Sequence, residues 1–248
     1  MNLVLFTPEQ ERLYRRFDEL IVPAADKRAG HIINVLKLKQ GDTLRCGTVG
    51  SGHYCLMRVL DISPDGVTLG PTGEEFPSPE PNPVTLILGQ VRPICVKRIL
   101  RDVTALGVGK LVLTLGENCE KSYASATIYT SGEYQDVLLD GAMQAMTTYI
   151  PQTVFARDVR QALEFTRDAS GDRILLDNVV GSHRLAQSRI GEGECVMAIG
   201  PERGWTDNER SLFINAGFAP MLIGQRVLRT ETAVPVALGI LLSRTGRM

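Results

Sequence analysis

The stretch Cys195–Arg210 reads CVMAIGPERGWTDNER. An apolar run enters it, Gly200 and Gly204 bracket a charged turn, and a polar segment starting at Thr206 opens a helix. Five consecutive apolar residues before such a turn describe a strand buried on both faces, as in a parallel sheet. In open α/β sheets the loops beyond the carboxyl ends of the strands hold the ligand. The order Thr206-Asp207-Asn208-Glu209 fits a capping box, with a hydroxyl at the N-cap and a carboxylate three residues on, so Glu209 reads as structural. Gly200 and Gly204 permit close backbone approach. For Glu202 two readings stand: it accepts from a ligand amino or hydroxyl group, or it pairs with an arginine.

Outward from this loop, strands and helices alternate. VTLILGQV (84–91), KLVLTL (110–115), TVFA (153–156), RILLD (173–177), CVMAIG (195–200) and PMLIG (220–224) read as strands. Helices are expected over ICVKRILRDVTALGV, with Val96, Ile99, Leu100 and Val103 on one face. Others are expected over GEYQDVLLDGAMQAM, from Asp158, from Asp207 and from about Ala233, the last with Val234, Ala237, Leu238, Leu241 and Leu242 on one face. This is an α/β pattern with a mainly parallel sheet covered on both faces.

Two further strand ends stand out. In LIGQRVLRTETAVP (Leu222–Pro235), Gly224 turns the chain, two arginines follow, and Pro235 is read into the first turn of the last helix with Thr230 or Thr232 as its cap. Arg226, Arg229 and Glu231 beside that helix start make either an anion-tolerant pocket or a pair that only ties the loop. In RILLDNV, Leu175, Leu176 and Asp177 end a strand and read as core or pocket floor. No phosphate-binding loop, dinucleotide fingerprint, nucleophile elbow or HExxH motif occurs.

The segment Pro71–Pro83 holds five prolines and three glutamates in 13 residues and reads as an extended linker. Before it come short strands, DTLRCGTV, HYCLMRVLDI and GVTLG, and one expected helix in DKRAGHIINVLKL with Ile32, Val35 and Leu36 on one side. That pattern suggests a small β-barrel over 1–70, a linker over 71–83, and an α/β domain over 84–248. Lys27, Arg28, Lys37, Lys39 and Arg45 gather around the expected helix, as a solvated face or as a nucleic-acid groove.

The 248 residues are 44% apolar and 22% charged, as in an ordinary globular protein. The net charge of −1 argues against promiscuous nucleic-acid binding but leaves room for a local basic groove. No apolar run approaches the roughly 18 residues of a membrane span, and MNLVLFTPEQERLYRR lacks the basic start and cleavage site of a signal peptide, so the chain is read as cytosolic. The five cysteines and three histidines have no ligand spacing, so neither a disulfide framework nor a metal site is expected.

IGPERGWTDNE followed by LIGQRVLRTETA resembles the paired C-terminal signature of the RsmE-type ribosomal RNA methyltransferases of the SPOUT superfamily. HIINVLKLKQGD (31–42), TALGVGKLV (104–112), EKS (120–122) and QAMTTYIP (144–151) match in the same order, so the resemblance covers nearly the whole chain. It implies a PUA-like β-barrel that binds RNA, then a SPOUT-type α/β methyltransferase domain with a deep C-terminal trefoil knot, and a homodimer. The implied activity is methylation of N3 of a uridine in 16S small-subunit ribosomal RNA with S-adenosyl-L-methionine as cofactor and no metal. Carried over position by position, the cofactor pocket would use Leu176, Ile199, Gly200, Pro201, Glu202, Gly204, Leu222, Ile223, Gly224, Val227, Leu228, Arg229 and Thr232.

Deprotonation of the uridine leaves an anion that an arginine can stabilise. Arg229 leads for that role with Arg203 second, and Glu231 or Glu202 could take the proton. Lys27, Arg28, Lys37, Lys39 and Arg203 would meet RNA, and Trp205 would stack on a base or belong to the core. The chain departs from the family pattern at Ala105, at Met143 and Thr147, at Lys121 and in the basic-poor MNLVLF. These departures motivate two alternatives: a different RNA site, or a catalytically silent RNA-binding or assembly protein.

Overall fold

The computed structural model describes residues 3–248 and divides the chain into two units, one running to Glu80 and including Ala142–Ile150, the other Pro81–Gly141 with Pro151–Met248. Met1 and Asn2, which open the MNLVLF stretch, lie outside the described residues.

In the first unit, β1 (Val4–Phe6), α1 (Pro8–Tyr14), β2 (Arg15–Arg16), β3 (Glu19–Pro23), α2 (Lys27–Gly30), β4 (Thr43–Thr48), β5 (His53–Ser63) and β6 (Gly66–Pro77) follow in order. The strands form a mixed sheet ordered β1-β4-β5-β6-β3-β2, in which only β1 and β4 pair in parallel. Period-two alternation sets which side chains enter the core: Leu20 and Val22 of β3 and Leu44 and Cys46 of β4 are buried beside Val59, Val67 and Leu69.

Three expectations for the course of the chain in this unit change. The helix expected over Asp26–Leu38 is only α2 followed by a π-turn at His31–Val35, in which the Leu36 amide reaches back five residues to the His31 carbonyl at 2.9 Å. Ile32 is buried as expected, whereas the wider turn rotates Val35 outward to 64% exposure. The segment expected as a linker is β-strand to Pro77, with Pro71 opposite Met57 and Glu75 opposite Cys55. β3 pairs with β6 only through Leu69, so beyond it β6 is an edge, where a proline's missing donor is tolerated. Ala142–Ile150, expected in the α/β domain, belongs to the first unit. The Thr148 amide donates to buried Ser78 Oγ at 2.8 Å, and Thr148 O accepts from the Gly50 amide at 2.8 Å. Thr147, a departure from the family pattern, donates its hydroxyl to Pro79 O at 3.0 Å.

The second unit contains β7 (Asn82–Gly89), α3 (Pro93–Ala105), β8 (Val108–Thr114), α4 (Thr127–Thr130), α5 (Glu133–Ala145, whose last turn passes into the first unit), β9 (Gln152–Ala156), α6 (Val159–Glu164) and β10 (Asp172–Leu176). It is completed by β11 (His183–Arg184), β12 (Cys195–Ile199), α7 (Asp207–Asn215), β13 (Ala219–Leu222) and α8 (Thr230–Arg244). Its seven strands are all parallel, ordered β11-β13-β10-β12-β7-β8-β9. Alternate side chains of one strand point to opposite faces. Ile87, Val112, Leu175 and Val196 pack with Val159, Ala162 and Phe213 of α6 and α7. Their neighbours Leu86, Leu88, Leu111 and Met197 are buried as well, and α3 and α8 pack on each other and on β8 and β12. Both faces are therefore covered, as the apolar runs predict.

The predicted buried stripes of α3 and α8 are present. However, α8 begins at Thr230 rather than near Ala233, so Pro235 sits inside it and the Glu231 carbonyl loses its helical donor. All five cysteines are free. Among the described residues no helix is long and apolar enough to cross a membrane.

Arg28, expected on an RNA-facing surface, is buried instead. Its guanidinium donates to Asp26 Oδ1 at 2.8 Å, Leu5 O at 2.8 Å and Gln10 Oε1 at 2.9 Å, and lies over the Phe6 ring. It is occupied by the fold and is not presented to a phosphate. Burial alone would raise the Asp26 pKa, but the Arg28 side chain and amide and the Tyr14 hydroxyl outweigh it and hold the carboxyl below its usual range. A depressed carboxyl stabilises the fold above its unfolded pKa, roughly 3.9, and loses that contribution as pH falls through the folded value. Asp26→Asn should therefore cost about 2 kcal/mol at pH 7 and progressively less below about pH 4. Urea unfolding of both proteins across pH 3–7 measures this; a difference that does not shrink on acidification contradicts it.

Candidate active site

The carboxyl ends of three neighbouring strands lie level. Leu176 of β10 pairs with Ile199 of β12 on one side and Met221 of β13 on the other. The loops that leave these ends, with Asp177–Val179, Gly200–Trp205 and Ile223–Leu228, close around a cavity of about 330 Å³. That volume and position suit a small-molecule site in an α/β sheet.

Each loop is held by contacts that the sheet makes possible. Gly204 adopts φ +69°, which favours glycine, and its amide donates to Pro201 O at 2.8 Å. Pro201 packs onto the end of β7, where a Cβ on Gly89 would fall 2.4 Å from Pro201 Cδ. Thr230 donates its hydroxyl to Gly200 O at 3.2 Å, which ties the start of α8 to the Gly200–Gly204 turn. It is therefore not a cap: the N-cap of α8 is Arg229, with no side-chain cap bond from Thr230 or Thr232.

The capping box at α7 is present as read. Thr206 Oγ1 accepts from the Glu209 amide at 3.3 Å, and Glu209 Oε2 accepts from the Thr206 amide at 2.8 Å. Buried Glu209 also accepts the Glu117 amide through Oε1 at 2.8 Å, so it joins the loop after β8 to α7.

Asp177 is almost completely buried. Its Oδ1 accepts from the Val179 amide at 2.7 Å, and its Oδ2 accepts from Arg210 Nε at 2.9 Å. Burial works against the Arg210 charge, yet hydrogen bonds to Asp177 and Asp207 raise its pKa. Trp205 lines the cavity and is buried against Phe213, with ring centroids 5.0 Å apart, so it is a wall of the site and part of the core rather than an exposed stacking platform.

Of the residues expected in the cofactor pocket, Leu176, Ile199, Gly200, Pro201, Glu202, Gly204, Leu222, Ile223, Gly224, Val227 and Leu228 line this cavity. Arg229 and Thr232 do not. Arg229 is 87% exposed and lies 3.9 Å from Glu231, which is largely covered. Glu202 pairs with Arg92, 3.6 Å from its Nε, and not with the neighbouring Arg203, which reaches Glu120 at 3.9 Å on the surface. Cys95 of α3 joins this group: burial, then the Glu231 and Glu202 carboxylates, push its thiol pKa up. Of the expected RNA-facing set, Lys27, Lys37 and Lys39 are exposed in the first unit and Arg203 in the second.

Residues 78–242 match the family described as RNA methyltransferase domain. Ribosomal RNA small subunit methyltransferase E of Treponema pallidum is 31% identical over 247 residues, covering 98% of this chain and 91% of that protein. The chain belongs to the ribosomal RNA small subunit methyltransferase E family. Another member, ribosomal RNA small subunit methyltransferase E 1 of Borreliella burgdorferi, is 29% identical over 96% of this chain and 95% of that protein. The fold is shared with a family structure from Neisseria gonorrhoeae, bound to S-adenosyl methionine, at a TM-score of 0.76 and 20% identity, covering 98% of this chain and 97% of that one.

Several site residues were invisible to motif reading. Arg92, Cys95 and Gly89 lie more than a hundred residues before the loop they contact, and no local pattern announces them. The pairing of Asp177 with Arg210 joins the loop after β10 to α7, which the sheet alone brings together. Arg210, at the end of the quoted stretch, shows in the sequence only as part of a helix start.

Loss of the Glu209 carboxylate orphans two backbone donors at once. Glu209→Ala should lower stability by about 2 kcal/mol, measured from the urea midpoint at unchanged slope, whereas Asp207→Ala at the exposed end of the Arg210 pair should cost about 0.5 kcal/mol or less.

Proposed function

We propose that this protein uses S-adenosyl-L-methionine to methylate N3 of a uridine in 16S small-subunit ribosomal RNA. The cavity at the level ends of β10, β12 and β13 carries this reading, because most of the residues that the family resemblance assigns to the cofactor line it. Its lining suits such a molecule. Leu176, Ile199, Leu222 and Leu228 offer apolar walls for a base and a thioether. The Gly200–Gly204 and Ile223–Gly224 turns offer backbone polar groups for ribose and amino-acid ends, and nothing lies within 4 Å of a Cβ on Gly224.

The bound cofactor supplies an activated methyl group on a sulfonium. The chain supplies position and charge. In-line transfer requires the uridine nitrogen to lose its proton and to lie opposite the sulfur. Arg229 is the stabiliser of the resulting anion, since an arginine stays protonated and this one is exposed beside Leu228 and Thr230, both of which line the cavity. Glu231, covered and next to Arg229, is the group that takes the proton; Arg229 and Thr232, both exposed at the start of α8, would meet the cofactor from outside the cavity lining. Lys27, Lys37, Lys39 and Arg203 meet RNA phosphates.

The order β13-β10-β12-β7, in which β12 inserts between β10 and β7, supports a trefoil knot in the second unit. The strands of the first unit support a PUA-like RNA-binding barrel. A homodimer in the cytoplasm completes the reading. Methylation at another RNA position is the second reading, favoured by Thr147, a departure from the family pattern whose hydroxyl is engaged with Pro79.

Calorimetry should show one S-adenosyl-L-methionine per chain; no heat at millimolar cofactor overturns the proposal. Gly89→Ala, by pushing Pro201 aside, should weaken that binding at least about tenfold. Arg229→Ala and Glu231→Gln should lower turnover about 100-fold with a smaller change in cofactor affinity. Mapping the modified base in a deletion strain distinguishes N3 of a 16S uridine from another site.

A further inference from the structure

The first unit carries a second chemical grouping that methyl transfer does not use. In β5, His53 and Cys55 are two residues apart and so project to one face; Glu75 of β6 lies directly opposite Cys55. One ligating atom from each of the three falls within 4.8 Å of the others. The Cys55 sulfur is 3.7 Å from Glu75 Oε1. Tetrahedral zinc with Zn–S of about 2.3 Å and Zn–O of about 2.1 Å sets sulfur and oxygen roughly 3.6 Å apart, so this pair already has the separation of two ligands on one ion.

The surroundings match. His53 Nδ1 lies 3.0 Å from the Ser51 carbonyl, a contact that orients the ring and, with the proton on Nδ1, leaves the lone pair on Nε2. Backbone carbonyls hold metal-bound histidines in this way. Glu11 accepts from Thr48 Oγ1 at 2.7 Å and pairs with Arg15, and both of these charges act on Cys55, so the anionic charge of the site comes from Glu75 and from the Cys55 thiolate formed on binding. A thiolate and an imidazole beside one hard carboxylate make a set that suits zinc over magnesium or calcium, which favour oxygen ligands throughout.

The position also gives the ion a structural purpose. Beyond Leu69, β6 has lost β3, its register against β5 shifts between Cys55 and Met57, and Glu74–Pro77 are exposed. The Tyr54–Phe76 stack at 5.5 Å is the ring contact that joins the two strands here.

We propose that His53, Cys55 and Glu75 form a zinc(II) site that clasps the outer ends of β5 and β6, with water in the fourth position. On binding, the Cys55 thiol gives its proton to solvent and the thiolate bonds to the ion; nothing is oxidised or reduced.

Untagged full-length protein, stripped with a chelator and titrated with zinc chloride in a calorimeter, should bind one zinc per chain. His53→Ala and Cys55→Ser should each weaken binding at least about tenfold, while His183→Ala, an exposed histidine of the other unit, leaves it unchanged. Cobalt(II) in place of zinc should show thiolate-to-metal charge-transfer absorption that Cys55→Ser abolishes. Apo variants that melt with the apo parent show that the loss is not misfolding. Absence of binding overturns the proposal, as does zinc affinity or cobalt absorption that survives both substitutions.

Discussion

The level register of three adjacent parallel strands is the constraint on which the site depends. Leu176 stands between Ile199 and Met221, so the chain leaves the sheet at three adjacent points and at one height. Loops that start together must share the space beyond the sheet. The cavity is what remains when they have satisfied their backbone groups on one another. A slip of one residue in any of these strands would turn each side chain to the opposite face; β12 is apolar on both faces, so what opposes the slip is the lost fit of those side chains against the covering helices.

Polar contacts then convert that shared space into a defined shape. The Asp177–Arg210 pair costs desolvation on both sides, and its value lies in joining the loop after β10 to α7. Glu209 does the same between α7 and the loop after β8, and Thr230 between α8 and the Gly200 turn. Each joins elements distant in sequence, and each satisfies a donor or acceptor that would otherwise be buried alone. Gly89 completes the arrangement by giving Pro201 room against β7.

Much of this was legible from local pattern. The apolar runs announced the parallel strands, the spacing of Val96, Ile99, Leu100 and Val103 announced the inner face of α3, and Thr206 with Glu209 announced the start of α7. These are short-range features, set by pleat, helical period and capping. The structure departs from local pattern where a longer-range partner decides. Pro71 and Pro77 lie in a strand because β6 is an edge there, Arg28 is buried because Asp26, Leu5 and Gln10 surround it, and Thr148 belongs with Ser78 and Gly50.

The sequence by itself determined the α/β class of the larger unit, the three turns that line the cavity and the family signature, because periodicity, glycine placement and motif order are properties of neighbouring residues. The tertiary structure alone decided which side chains meet: Glu202 with Arg92, Asp177 with Arg210, His53 with Cys55 and Glu75. Strand order and register settle those meetings. They follow from the packing of the whole sheet, since a side chain's partner across a strand pair carries no trace in the residues beside it in sequence.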